Sequence, residues 1–131
     1  MSSQKVLKLM PARKVFVIDN DETLCMFLAT MLSNWGYKVM TSTQARTIDL
    51  DEMTEADIVF LDIMMPGMNG LEVLDLFSSH LIKSSIVLIS GAENNVLLTA
   101  ESFCKHNDLQ LLGVLHKPFR VSDILAVLWA Y

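Results

Sequence analysis

Four apolar runs in this chain stop abruptly at polar side chains. Residues 15–18 end in Asp19, residues 58–60 lead through Leu61 to Asp62, residues 86–89 end in Ser90, and residues 112–115 stop just before His116-Lys117. Unbroken apolar runs of this length fit strands buried on both faces, as in parallel sheets. Between them, apolar residues recur at the i, i+3, i+4, i+7 spacing of a helix with one buried stripe. The first such helix follows Asp19 and turns Leu24, Phe27, Leu28, Met31, Leu32 and Trp35 inward. Gly36 closes it, because glycine takes the left-handed conformation that ends many helices. Residues 37–41 read as a second strand, and 43–55 as a short helix and polar loop. Residues 70–80 form a helix with Leu71, Leu74 and Phe77/Ser78 on one side. Residues 85–90 and 111–115 are the fourth and fifth strands, with further helices over 93–106 and 121–131. Strand and helix alternate five times without repeat or linker. That pattern predicts an α/β fold of three layers, a doubly wound parallel sheet with helices on both faces.

Residues 1–12 form an N-terminal extension punctuated by Pro11, and residues 13–131 one domain. In the last helix, Val121, Ile124, Leu125 and Leu128 are expected to face the sheet. Val127, Ala130 and Tyr131 then make a second apolar face, expected to be a partner surface, and Trp129 serves either side.

Composition narrows the picture. The chain is 52% hydrophobic and 19% charged, with net charge −5. The longest helical apolar stretch, residues 24–32, is far short of the ~20 residues of a membrane span. Residues 1–10 lack the apolar core of a signal peptide. Scattered basic residues argue against a nucleic-acid groove. Cys25 and Cys104 share no metal-ligand or redox spacing and sit in helical apolar patterns, where buried free thiols are expected. These features point to a cytoplasmic protein.

Ligands gather at the carboxyl ends of parallel strands. Four strand ends delivering Asp19, Asp62, Ser90 and Lys117 to one rim make a site for a magnesium ion and a phosphoryl group. Asp62 is the candidate nucleophile, since carboxylates support aspartyl-phosphate chemistry. Asp19, its neighbour Asn20 and the backbone carbonyl of Met64 are candidate metal ligands with Asp62, because magnesium takes carboxylates, carbonyls and water. Lys117 would pair with a phosphoryl oxygen and Ser90 donate to another. Each residue alone has a plainer reading: Asp19 and Asp21 as helix caps, Asp62 as a turn opener, Ser90 as a loop start, Lys117 as a surface lysine. Their conjunction at four strand ends is what singles them out.

These residues resemble the receiver domains of two-component response regulators. The likeness covers about residues 13–131. It rests on Val17-Ile18-Asp19-Asn20-Asp21-Glu22, Leu61-Asp62-Ile63-Met64-Met65-Pro66-Gly67-Met68-Asn69-Gly70, Val87-Leu88-Ile89-Ser90-Gly91 and His116-Lys117-Pro118-Phe119. The resemblance implies a flavodoxin-like five-stranded sheet in order 2-1-3-4-5, with Pro118 as the candidate cis-proline. It implies a phosphoacceptor, not an enzyme in the ordinary sense, that assists its own phosphotransfer and dephosphorylation. Asp62 would take the phosphoryl group, with bound magnesium, from a sensor histidine kinase or phosphotransfer protein. Ser90 would then turn toward the phosphate and rearrange the face made by the helix at 93–106, the fifth strand and the last helix. That face would meet an output domain or partner protein, or a second copy in a homodimer. Residues 90–119 further resemble, loosely, receivers attached to cyclic-di-GMP phosphodiesterases.

Two positions depart from the family pattern. Asn20 stands where receivers usually carry a second acidic residue, so weaker magnesium binding is expected. Val114 stands where the family often has Tyr or Phe, so a switch must run through Ser90 and the helix at 93–106. Asn20 and Val114 favour a degenerate receiver, a phosphorylation-independent interaction module, as the alternative. A second alternative is a haloacid-dehalogenase-type phosphatase with Asp19 as nucleophile, which Asp19-Asn20-Asp21-Glu22-Thr23-Leu24 also fits. That reading leaves Asp62 without a role.

Overall fold

A computed structural model of the chain describes residues 14–91 and 94–129. The expected extension at 1–12 and two residues of the expected partner surface, Ala130 and Tyr131, lie outside them. The strands are β1 (Lys14–Ile18), β2 (Lys38–Ser42), β3 (Ile58–Asp62), β4 (Ser85–Ser90) and β5 (Gln110–His116). The helices are α1 (Glu22–Asn34), α2 (Gly70–Ser79), α3 (Asn94–His106) and α4 (Val121–Trp129), with two single 3-10 turns at Ala45–Thr47 and Leu50–Glu52. All five strands are parallel, in the order β2-β1-β3-β4-β5. This is the order expected for a doubly wound sheet with a switch point between β1 and β3.

Successive side chains of a strand point to opposite faces, and both faces here are packed. Val15, Val17, Phe60, Val87 and Ile89 join Cys25, Leu28 and Leu32 of α1 and Ile124 of α4 in one core layer. Phe16, Ile18, Val59, Leu61 and Leu88 join Val73, Leu74 and Phe77 of α2 and Leu97, Ala100 and Cys104 of α3 in the other. Central β3 is buried throughout. Both cysteines are buried free thiols, as expected.

Local chemistry sets the helix ends. Asp21 caps α1, its carboxylate accepting from the backbone N–H groups of Thr23 and Leu24. Asp19 is therefore released from the capping role that the sequence left open to it. Asn69 and Glu72 form a reciprocal capping box at the start of α2. The buried stripe of α2 includes Val73, with Leu71 only partly buried, so it is rotated slightly from the expected one.

Two expectations need correction. The segment 43–55 forms no α-helix. Its helical content is the two 3-10 turns, the second capped by the Asp49 carboxylate, which accepts from the N–H of Asp51. Asp57 then secures the crossover: its buried carboxylate accepts from the backbone N–H of Thr54 at 2.8 Å and of Lys14 at 3.3 Å. The Lys14 ammonium pairs with Asp57 at 3.4 Å and donates to the Glu52 carbonyl.

The second correction concerns Val127, which belongs to the core face of α4 and not to a partner surface. A Cβ placed on Gly113 would come within 3.3 Å of both Val127 methyl groups. The missing side chain in β5 leaves the space that Val127 fills. Leu125, expected inward, is instead 37% exposed, and Trp129 is 67% exposed.

Candidate functional site

The site lies where the carboxyl ends of β1, β3 and β4 meet the start of the α4 connection. Parallel register places Ile18 beside Leu61, Asp62 beside Ile89, and Ser90 beside His116. Asp19 and Asp62 therefore emerge from adjacent central strands. Their side chains are 0% and 3% exposed, and both reach the same ammonium group. Lys117 Nζ lies 3.1 Å from Asp19 Oδ2 and 3.3 Å from Asp62 Oδ2. Lys117 is the accessible member of the trio, with a side chain 32% exposed.

Each carboxylate is oriented by backbone. Asp19 Oδ1 accepts from the N–H of Asp21 at 2.9 Å, and Asp62 Oδ1 accepts from the N–H of Met64 at 3.0 Å. One oxygen of each group is thus fixed, and the other faces Lys117. The Asp19 N–H donates to the Ser42 carbonyl at 3.1 Å, and the Cys25 thiol donates to the Asp19 carbonyl at 3.2 Å.

The loop after Asp62 is held by close backbone packing. The Ile63 N–H donates to Ile89 at 3.1 Å, and the Gly70 N–H returns to the Ile63 carbonyl at 3.0 Å. Gly67 turns the loop at φ 85°. A Cβ on Gly70 would sit 2.4 Å from the Ile63 Cα, so only glycine lets α2 start this close to β3. Gly70 is a positioning residue that the sequence reading did not single out. Its signal was present in Asn69-Gly70, but the pattern shows a turn and not a backbone contact.

Lys117 is placed by the neighbouring strand. Its backbone N–H donates to the Ser90 carbonyl at 2.7 Å, and the Lys117–Pro118 peptide bond is cis. Ser90 is buried, its hydroxyl donating to the Gly91 carbonyl at 3.3 Å.

Burial and charge oppose one another here. Loss of water is the largest influence on Asp62 and raises its pKa; the Met64 N–H lowers it, Asp19 raises it, and Lys117 lowers it, leaving a net rise. Burial pulls Lys117 down, but the two carboxylates, Asp19 foremost, outweigh it and hold its pKa above the ordinary lysine value. The Cys25 thiol is pushed up by burial and then by Asp19. Two buried carboxylates against one half-exposed ammonium leave the pocket one positive charge short.

That deficit bears on a divalent cation. Asp19 Oδ2 is buried and has no hydrogen-bond partner, since the ammonium at 3.1 Å approaches it off the hydrogen-bonding direction. A hard cation binds such oxygens. Among the described residues no group of three or more His, Cys, Asp or Glu side chains converges, so two carboxylates are the whole acidic donor set. Further oxygens would come from the exposed Asn20, from the backbone of exposed Met64, or from water.

The structure thus brings together Asp19, Asp62 and Lys117, and ties Ser90 to Lys117 through the backbone. Asn20 and Met64 stand at the rim. Val114, in β5, is half-buried and packs against the α2–α3 core layer.

The fold and these residues match one family of signalling domains. The sequence model of the response regulator receiver domain matches residues 15–128, and the chain belongs to that family. Among curated relatives, the transcriptional regulatory protein PdtaR of Mycobacterium tuberculosis is 25% identical over 115 residues, 86% of this chain and 53% of PdtaR. The cell cycle transcriptional regulator CtrA of Caulobacter vibrioides is 25% identical over 115 residues, 87% of this chain and 49% of CtrA. The chain spans about half the length of these relatives. A response regulator from Colwellia psychrerythraea superposes with a TM-score of 0.77 at 29% identity, over 92% of this chain and 94% of that one. The structure of FixJ-N gives 0.76 at 22% identity over the same shares, a likeness of fold. This chain is therefore a receiver domain of two-component signalling. No helix among the described residues is long and apolar enough to cross a membrane.

Proposed function

We propose that this domain accepts a phosphoryl group on Asp62 from a phosphohistidine donor, with Mg2+ at Asp19, and relays its state through Ser90 and the α3–β5–α4 face. The observation that carries the reading is the shared ammonium: Asp19 and Asp62 converge on Lys117 within 3.1–3.3 Å in a buried pocket.

In the transfer, an Asp62 carboxylate oxygen attacks phosphorus as the P–N bond breaks. The imidazole leaves with the electron pair and takes up a proton. Magnesium, when bound, supplies positive charge between the attacking oxygen and the phosphoryl oxygens. Asp19, Asn20 and the Met64 carbonyl are its proposed ligands. Lys117 then leaves its carboxylate pair to meet a phosphoryl oxygen, and the Ser90 hydroxyl turns from Gly91 to donate to another. Because Lys117 bonds to the Ser90 carbonyl, movement at one residue is felt at the other.

The haloacid-dehalogenase-type alternative gives no task to Asp62, the residue that shares Lys117 with Asp19. The degenerate-receiver alternative rests on Asn20 and Val114 and makes the opposite prediction in one assay. The protein is exposed to acetyl phosphate with Mg2+ and weighed intact. Addition of one phosphoryl group, lost in Asp62→Asn, supports the proposal. An unmodified protein, or an adduct that persists in Asp62→Asn, overturns it.

A further inference from the structure

Among the described residues, Leu81 is the large apolar side chain most open to solvent, 76% exposed. It stands in the connection from α2 to β4, directly after the capping residue His80. Helix α2 closes with the Ile82 N–H donating to the Phe77 carbonyl at 3.0 Å and the Leu81 N–H to the Ser78 carbonyl at 3.1 Å. That pair of bonds puts Leu81 in the left-handed region, at φ 56°, where glycine is the usual occupant. Ile82, next in the chain, turns inward and is buried. Leu81 thus gains nothing from the core and carries a backbone that Gly36 and Gly67 adopt elsewhere without strain. A lone exposed leucine needs no explanation, but one on a glycine backbone does.

The surroundings of Leu81 are basic. Residues 76–84 hold His80 and Lys83 and no acidic side chain. Lys83 is exposed, with no ion-pair partner among the described residues. The opposite combination lies on the β2 side of the sheet. Each other crossover carries an α-helix of 10–13 residues, but β2 and β3 are joined by two turns of three residues each. Beside them is a groove of about 190 Å³ against β1 and β2, lined by Phe16, Ile18, Met40 and Ile48, with Asp49 and Glu52 also on its wall. Residues 49–57 hold five acidic side chains and no basic one. Asp49 and Glu52 are exposed, and neither carboxylate meets a cation among the described residues. A cavity of ~150 Å³ takes benzene, so a leucine side chain, which is smaller, fits this groove.

We propose that Leu81 of one molecule inserts into this groove on a second copy of the chain, with Lys83 beside Glu52 and Asp49 of that copy. The contact does not form within one molecule: β4, which Leu81 precedes, and β2 are three strand spacings apart, ~14 Å. Knob and groove are different patches, so the interface is heterologous; two copies can exchange knobs, or copies can add head to tail. One leucine and one or two charge pairs make a small contact, so the association is weak and concentration-dependent. It needs no phosphoryl group and is independent of the function proposed for Asp62.

Analytical sedimentation of the full chain at concentrations from about 10 μM to about 1 mM tests this. Expected is an average mass that rises with concentration. Leu81→Gly should abolish the rise and keep the fold, because glycine suits a φ of 56°, with circular dichroism as the check on folding. Lys83→Glu and Glu52→Lys should each weaken association by about tenfold, since each sets like charges against one another. Mixed in equal amounts, these two variants should associate as the wild-type chain does, because each knob then meets a groove of opposite charge. A chain that stays monomeric up to about 1 mM overturns the proposal. So does association unaffected by Leu81→Gly, or a mixture of the two charge variants that associates no better than either alone.

Discussion

The ammonium of Lys117 lies 3.1 Å from Asp19 Oδ2, a buried oxygen without a hydrogen bond, and 98 residues of chain separate the two. In this arrangement Lys117 holds the place of positive charge that a divalent cation would supply. Lysine and cation therefore compete for the same carboxylates. Replacing Lys117 by Ala should leave Mg2+ binding intact or tighten it several-fold in a calorimetric titration, while slowing phosphoryl-dependent signalling. Loss of Mg2+ binding would remove Lys117 from the role assigned here.

Asp62→Asn should stabilise the domain at neutral pH. The folded-state pKa of Asp62 lies above its unfolded value, chiefly through burial, so the ionised form costs stability once pH exceeds both. Asparagine removes that cost. The gain should show as a higher melting temperature than that of the wild-type domain. It should shrink as pH falls through the raised folded-state pKa and be absent below about 4, where the carboxylate is protonated in the unfolded chain too. Thermal melts at pH 7 and pH 3.5 provide the check.

Restoring an acid at the rim should strengthen the cation site. Asn20→Asp adds one negative charge at an exposed position next to Asp19. Two charges ~4 Å apart interact by at most ~4 kcal/mol gross at an effective dielectric near 20, and by much less after solvation. A tightening of Mg2+ affinity by about tenfold is expected, with little change in melting temperature without metal. An unchanged titration would take Asn20 out of the ligand set.

Gly70→Ala should destabilise strongly. The added methyl would sit 2.4 Å from the Ile63 Cα, a backbone atom with no rotamer to yield. Overpacking of this kind costs about 1–3 kcal/mol, and the shift would disturb the loop holding Asp62. Denaturant unfolding should show the loss, and the remaining folded protein should accept phosphate more slowly. Gly67→Ala offers a contrast: open space surrounds it, and its cost is the strain of φ 85° alone.

Alkaline conditions should destabilise the domain progressively between about pH 9 and 11. Burial and then Glu101 hold the Cys104 thiol protonated up to about 11, against 9.0 for a free thiol. The unfolded chain releases that proton first, so it binds fewer protons in this window and stability falls as pH rises. Cys25, raised by burial and Asp19, acts with the same sign. Lys117 adds to the loss at still higher pH, because its folded pKa is also raised. Cys104→Ala should flatten the alkaline limb of the stability curve, and a thiol reagent at pH 8 should modify the native protein slowly.

Much of this was legible in the chain. The continuous apolar runs of β1, β3 and β4 announce strands covered on both sides, and only a parallel sheet with flanking helices covers them that way. Each run ends in the side chain of its site, so Asp19, Asp62, Ser90 and Lys117 could be named before any contact was known. Other features required three dimensions. Cap and site were equal readings for Asp19 until Asp21 proved to hold the cap. Val127 looked outward by helical periodicity, yet the empty space beside Gly113 on another strand draws it in. Residues 43–55 form two 3-10 turns and no α-helix, and Asp57 ties the segment's end to Thr54 and Lys14, contacts that a 3.6-residue period cannot show. Gly70 matters because two backbones meet. Sequence fixes which residues end strands and which faces are apolar, since those follow from local geometry and solvation. Distances between carboxylate and ammonium, the missing hydrogen bond on Asp19, and the groove beside β2 depend on how separate elements pack, and only the tertiary structure decides them.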